Sequence, residues 1–75
     1  MENHDRELVQ RVLNETNNPR LRKLLVEHDT LDDQVGTLGK KPFLTTPEEI
    51  KLKLLKAQKL SGVEEMLMIA RAAVV

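Results

Sequence analysis

Two stretches of opposite charge most constrain the fold of this chain. Residues 27–35 read EHDTLDDQV and contain four acids, whereas residues 52–60 read LKLLKAQKL and contain three lysines. The segment between them, GKKPFLTTPEE at 39–49, carries the glycine and prolines that typically end one helix and begin another. The pattern predicts two helices that fold back on each other with opposite charges facing.

Apolar spacing extends this prediction toward the beginning of the chain. Leu8, Val9, Val12 and Leu13 recur at helical intervals and predict a short helix at 5–16. Asn3 is a suitable N-cap for it, because a side-chain amide oxygen can accept a bond from a free backbone N–H. Pro19 then predicts a break, since proline disfavours helix at the preceding residue and suits the first turn of a new one.

The second predicted helix spans 20–38. Leu21, His28 and Val35 are seven residues apart, and so are Leu24, Leu31 and Leu38. This alternation is typical of a helix with one apolar seam of the coiled-coil kind. Gly39 is the expected C-cap.

A capping signal begins the last predicted helix, at 47–73. Thr46 would supply the N-cap hydroxyl, Pro47 the first helical residue and Glu49 the acid at the third position. Gly62 lies where the apolar stripe changes direction, and we expect the helix to continue through it at a cost of about 1 kcal/mol.

The expected fold is therefore all-α: an antiparallel helical hairpin, preceded by a short helix, in a single domain at 1–75 with a connection at 39–46. The short connection favours antiparallel neighbours, and the charges then set a register. It places Asp29 near Lys56, Asp32 near Lys53, and Arg20 beside Glu64 and Glu65. The predicted hairpin seam consists of Leu24, His28, Leu31, Val35, Leu54, Ala57 and Leu60.

Composition excludes several classes of function. Twelve basic and twelve acidic side chains give a formal net charge of +0, so uniform attraction to nucleic acid or an anionic membrane is not expected. The chain has no cysteine and one aromatic residue, Phe43, which excludes disulfides, thiolate zinc sites and base-stacking platforms. No signal peptide or membrane span is recognisable, so a cytoplasmic protein is expected.

His28 is the residue best suited to a chemical role. On the seam beside Glu27 and Asp29, it would be either a metal ligand or pH switch, or a polar core residue that sets the register. A metal site needs three or four converging ligands, and His4 is the only other imidazole in the chain. The core role is favoured, and no cofactor, metal or catalytic residue is expected.

Apolar side chains exceed what a hairpin can bury, which predicts a homo-oligomer, dimeric or larger, that forms a helical bundle. A protein partner is also expected. Phe43 and Leu44 at the connection would either close the open end of the bundle or contact that partner. Met66 and Ile69 on the last helix are further candidate contacts.

The expected function is thus non-enzymatic: an interaction or adaptor protein that acts through a helical surface. The alternative is a nucleic-acid-associated regulator that uses the basic residues at 20–23 and 40–41. A third class, metal or ion binding, would depend on His28 and the neighbouring acids.

The chain also resembles the YdcH-like family of small bacterial proteins, a domain family of unknown function. The resemblance covers 20–69 and combines His-x-x-Leu-Asp at 28–32 with Leu-Lys at 55–56 and Lys-Leu at 59–60. The acids Glu64 and Glu65 followed by Met66 also fit, whereas Ser61-Gly62-Val63 departs from the family pattern. This resemblance implies a helical hairpin in a bacterial cytoplasm, and it implies no activity, cofactor or catalytic residue.

Overall fold

The computed structural model describes residues 2–73, and these are organised into three packed helices: α1 (Asn3–Thr16), α2 (Pro19–Gly39) and α3 (Thr46–Ala73). The described residues include no strand, which confirms the all-α prediction. Each helix bound lies within two residues of its predicted position. Met1, Val74 and Val75, which the single-domain prediction also includes, lie outside the described residues.

Asparagines control the junction between α1 and α2. Asn17 ends α1 in the left-handed region, with a φ of 52°, a conformation that asparagine tolerates better than most residues. The Asn18 side chain then caps α2 by accepting hydrogen bonds from the backbone N–H groups of Arg20 (3.0 Å) and Leu21 (3.3 Å). Pro19 is the first residue of α2, so the predicted break is confirmed.

Three predicted caps are corrected. Asn3 is already helical, and the preceding Glu2 makes no capping bond through its side chain. Gly39 is the last residue of α2, and Lys40 follows it with an ordinary φ of −80°, so no left-handed glycine ends this helix.

At the start of α3 the reciprocal capping bonds join Thr45 and Glu48, one residue earlier than the predicted pair Thr46 and Glu49. The Thr45 hydroxyl accepts from the Glu48 backbone N–H (3.3 Å), and the Glu48 carboxylate accepts from the Thr45 N–H (3.1 Å). The shift follows from Thr45 also having a hydroxyl and an acid three residues later. α3 then continues through Gly62, as expected.

The hydrophobic core lies at one end of the molecule, which measures 45 × 19 × 16 Å. Every residue of the core cluster falls in 8–25 or 63–70, on all three helices. Its buried members are Val9, Val12, Leu13, Leu21, Leu25, Met66 and Ala70. We call residues 3–25 and 63–73 the core half, and residues 26–62 the open half.

The ion pairs between helices agree with the predicted register at one pair and differ from it at two others. Arg20 pairs with Glu65, as expected. However, Asp32 pairs with Lys59 (2.5 Å) and not with Lys53. Asp29 pairs with Arg6 (3.2 Å) and not with Lys56, because α1 folds back along α2 and brings its own cation to this acid.

The buried face of α3 also differs from the predicted seam. Leu54 and Leu60 are each 60% exposed, and Ala57 is exposed as well. Leu55, Met66 and Ala70 are buried instead. The reason is that α1 and α2 together cover the Met66 and Ala70 face, and a straight helix continues that face back to Leu55. On α2, His28 is buried, and the other seam residues are half-buried: Leu24, Leu31 and Val35.

Candidate functional site

The open half contains two shallow depressions between α2 and α3. One is lined by Val26, Glu27, Thr30, Leu31 and Gln58. The other lies nearer the connection and is lined by Asp33, Gln34, Thr37, Leu38, Lys41, Lys51 and Leu55. Both are open to solvent and combine aliphatic side chains with amides and charges.

Most of the exposed large apolar side chains also lie in the open half. Val26 (60% exposed), Ile50 (55%) and Leu54 (60%) belong to its helices, as does Leu60. α1 supplies no core residue opposite this region, since its buried side chains all join the core-half cluster. The open half is therefore the part of the molecule with the most uncovered apolar surface.

Phe43 is the most exposed large apolar residue, at 88%. It lies on the connection between α2 and α3, whereas its neighbour Leu44 is half-buried. The predicted role of Phe43 in closing the end of the bundle is not seen within the described chain. Its ring instead projects from the connection, where an aromatic side chain can enter a pocket on another protein.

Glu48 fixes the backbone next to Phe43. Lys41 donates a hydrogen bond to its carboxylate, and the Thr45 N–H and hydroxyl donate two more. The hydrogen bond from Lys41, followed by those from Thr45, lowers the pKa of Glu48 to about 2. The connection is therefore held at its α3 end by an acid that remains ionised at any physiological pH.

His28 is buried between the helices of the open half, with 3% of its surface exposed. Its Nδ1 has no hydrogen-bond partner among the described residues. Burial lowers its pKa below the ordinary 6.5, and the nearby Lys59 acts in the same direction, whereas Asp29 and Asp32 oppose the shift. A neutral imidazole is consequently the stable form at neutral pH.

Two of the acids near His28, Asp29 and Asp32, already have cationic partners. Lys59 donates to Asp32 and lowers the pKa of that carboxyl, chiefly through this hydrogen bond. Asp29 accepts from the Arg6 guanidinium. Neither acid is therefore a free ligand that could join His28 around a metal. In the described residues, no group of three or more potential ligands converges on such a site.

Two residues of α3, Met66 and Ile69, were predicted to contact a partner. Met66 is fully buried in the core cluster and Ile69 packs against that cluster, so Met66 is not available to a partner and that prediction is wrong. Met68, which the sequence did not single out as a contact, is 68% exposed. The two methionines differ by two positions, which on a helix places them on nearly opposite faces.

The basic residues of the nucleic-acid alternative do not form one surface. Arg20, Arg22 and Lys23 lie at the start of α2, and Lys40 and Lys41 lie at its other end, about 30 Å away by the helical rise. Arg20 pairs with Glu65 and Lys41 with Glu48, while Arg22 donates to the Asn17 side chain. Two of these five basic residues, Arg20 and Lys41, therefore have an acidic partner, whereas the Asn17 amide that Arg22 contacts is uncharged.

None of the helices, over the residues that the structure describes, is long and apolar enough to cross a membrane. Comparison with protein-family models, curated proteins and solved structures found no match to this chain. The resemblance to the YdcH-like family accordingly stays a prediction. The fold and site define only a class: a small all-helical protein with an uncovered apolar surface.

Proposed function

We propose that this chain is a non-enzymatic interaction protein, in which α2 and α3 form an antiparallel helical hairpin. The hairpin self-associates and presents its connection to a protein partner, and we place it in the cytoplasm. The order of the ion pairs supports the antiparallel arrangement. As the α2 residue advances from Arg20 to Asp32, its α3 partner moves back from Glu65 to Lys59.

The observation that carries the proposal is the unequal distribution of uncovered apolar residues. Six large apolar side chains of residues 2–73 are strongly exposed, and five of them lie in the open half: Val26, Phe43, Ile50, Leu54 and Leu60. Contiguous apolar surface on a small protein usually marks a contact with another protein or a second copy. Isolated exposed residues would need no such explanation.

Phe43 is the side chain that we propose as the anchor for the protein partner. Aromatic residues are enriched at protein interfaces because one ring covers a large apolar area while losing few side-chain rotations. Phe43 is fully presented, and the capping bonds between Thr45 and Glu48 hold the backbone beside it. An anchor on an ordered connection loses less conformational entropy on binding than one on a mobile loop.

The titratable groups support a non-enzymatic role. Acid–base catalysis needs groups with perturbed pKa values that converge on one pocket. In this chain the pKa values of Glu48, Asp32 and His28 are all lowered, but by separate causes. Hydrogen bonds from lysines account chiefly for the two acids, and burial accounts for the histidine. None of the three pairs an acid with a base across a cavity.

Site-specific photo-crosslinking in the native host tests this proposal. A benzophenone amino acid at position 43 keeps an aromatic ring at the anchor, and the same group at Gln10, an exposed residue of α1, is the control. We expect one dominant adduct at position 43 that mass spectrometry assigns to a single protein and that is absent from the control. Equal labelling at both positions, or no adduct at 43, would contradict the anchor.

A further inference from the structure

α3 has a second face, largely apolar, that stays exposed in the described part of the chain. Six residues recur along it at alternating intervals of four and three: Ile50, Leu54, Ala57, Ser61, Glu64 and Met68. All six are exposed, and they lie on the side of α3 away from the buried Met66 and Ala70. We call these residues the free stripe. Such alternation is the spacing with which one helix packs along another.

Side-chain size varies along the free stripe, with large residues at both ends and small residues in the middle. Ile50 and Leu54 begin it and Met68 ends it, whereas Ala57 and Ser61 occupy its centre. Small residues at the centre of a helix contact permit the two backbones to approach closely, while the larger side chains pack around them. From Ile50 to Met68 the stripe extends about 27 Å, enough for a continuous helix contact.

We propose that a second copy of α3 packs on the free stripe and runs antiparallel to the first. A two-fold axis relates the two copies and crosses the helix pair at the height of residue 59. This inference rests on the self-association in the proposed function and names the face and the register. In this register Ile50 lies opposite Met68 of the second copy, and Ala57 lies opposite Ser61. Leu54 lies opposite Glu64, whose methylene groups can cover it while the carboxylate reaches the solvent.

Charge complementarity selects this occupant and this direction. Lys51, Lys53 and Glu64 make no ion pair within the described chain, since the ion pairs there involve other residues. In the antiparallel register Lys53 of each copy lies beside Glu64 of the other. Lys51 likewise approaches the second copy's Glu65, which its own Arg20 already contacts.

Other arrangements leave these charges opposed or unpaired. A parallel pair would place Glu64 against Glu64 and Lys53 near Lys53, and like charges at such positions destabilise a helix pair. An antiparallel pair displaced by one heptad would place Ile50 opposite Ser61, and Lys53 beside Gln58 with no acid. Of these three arrangements, only the proposed register places the lysines near the start of α3 beside the acids near the end of the second copy's α3.

Sedimentation velocity tests the face. We expect the wild-type chain to form dimers at micromolar concentration and Leu54→Glu to weaken the dimer about tenfold or more, because a charge would replace a buried apolar contact in both copies. Gln10→Glu is the control, since Gln10 is an exposed residue of α1 outside the open half. A monomeric wild type, or equal loss in both variants, would overturn the proposal. Circular dichroism confirms that each variant remains helical.

A charge exchange tests the direction. Lys53→Glu and Glu64→Lys should each weaken the dimer by several-fold, and the two changes in one chain should restore it, because opposite charges would again face each other across the dimer. Absence of recovery in the double variant would contradict the antiparallel pairing.

Disulfide trapping tests the register, and the absence of cysteine from the natural chain makes it specific. A mixture of Ala57→Cys and Ser61→Cys chains should form the cross-linked dimer faster than a mixture of Ile50→Cys and Ser61→Cys chains. The reverse order would identify the displaced register and reject this one. That result would leave the proposed protein partner at Phe43 untouched, since photo-crosslinking at the connection tests it independently.

Discussion

The core half and the open half share two helices, yet they bury very different amounts of apolar surface. Seven apolar residues are buried in the core half, whereas Leu38 and Leu55 are the buried apolar residues of the open half. The difference is α1, which lies against α2 and α3 at one end only and contributes Val9, Val12 and Leu13. Two helices present a seam to each other, and a third helix turns that seam into an enclosed core.

Both halves nevertheless contain a capped helix start and ion pairs. Asn18 caps the start of α2 in the core half, and Thr45 with Glu48 caps the start of α3 in the open half. Local hydrogen bonds are therefore similar, and the contrast lies in burial. We expect stability to concentrate in the core half, and local unfolding to need less free energy in the open half.

The largest expected effect is the loss of a core side chain. Met66→Ala should lower the free energy of unfolding by about 2–5 kcal/mol, because it removes a fully buried side chain and leaves a cavity. Met68→Ala, on the same helix, should change it by less than about 0.5 kcal/mol at concentrations where the chain is monomeric. Urea unfolding followed by circular dichroism measures both, and equal losses would show that the core is not where the structure places it.

The same measurement compares the two halves directly. Leu55→Ala, in the open half, should cost less than Met66→Ala, because Leu55 is 8% exposed whereas Met66 is fully buried, so water can enter the space that Leu55 leaves. A larger loss for Leu55 would reverse the comparison and place the stability in the helical pair.

His28→Leu should stabilise the open half by about 1 kcal/mol at neutral pH, because it removes a buried nitrogen that has no hydrogen-bond partner. The gain should increase as the pH falls below 6.5. The pKa of His28 is lower in the folded chain than its ordinary 6.5, so below that pH the unfolded state binds the proton more readily and stability falls.

Urea unfolding of both chains at several pH values between 8 and 5 tests this prediction. The difference between wild type and variant isolates the histidine, since the acids titrate alike in both. A stability difference that stays constant with pH would show that His28 is solvated in the native state.

Capping should matter about equally in the two halves, and less than core packing. Asn18→Ala removes a side chain that accepts two backbone bonds, and it should cost about 1 kcal/mol. Thr45→Ala should cost a similar amount at the start of α3. Amide hydrogen exchange would locate each effect, with faster exchange at the first turn of the affected helix. Exchange that accelerates evenly along the chain would mean that the caps act globally.

The smallest effect is expected for the ion pair between Arg6 and Asp29. Both side chains are about half-exposed, so the coupling energy between Arg6→Gln and Asp29→Asn should be about 0.2–1 kcal/mol and should decrease with salt. A double-mutant cycle measures it. A coupling well above this range would mean that α1 is held on α2 by charge, more than by the core cluster.

Sequence reasoning located the helices well because caps, prolines and apolar spacing are local signals. Each of these signals acts within a few residues of where it appears in the sequence. Examples are Pro19, the Thr-rich start of α3 and the seven-residue spacing of α2. The register of α2 on α3 was predicted less well. Lys53, Lys56 and Lys59 all carry the same charge, so complementarity alone could not select the partner of Asp32.

The sequence could not predict which face of α3 is buried, and the reason is related. Its apolar residues surround much of the helix, and Leu54 and Leu55 are chemically equivalent neighbours. Which of them is buried depends on where α1 lies, and no local signal encodes that position. The same ambiguity hid Met66 and Met68, whose roles in the fold are opposite. His28 was more accessible to sequence reasoning, because α2 has a narrower apolar seam.

The placement of the core has a consequence for the chain as it emerges from the ribosome. α1 and the first turns of α2 are synthesised early, but the side chains that complete their packing, Met66 and Ala70, belong to the far end of α3. Val9, Val12 and Leu21 therefore lack the α3 part of their packing until translation has passed Ala70 and the exit tunnel has released it. During that interval we expect the nascent chain to expose short apolar segments of the kind that chaperones recognise, although its helices can already form.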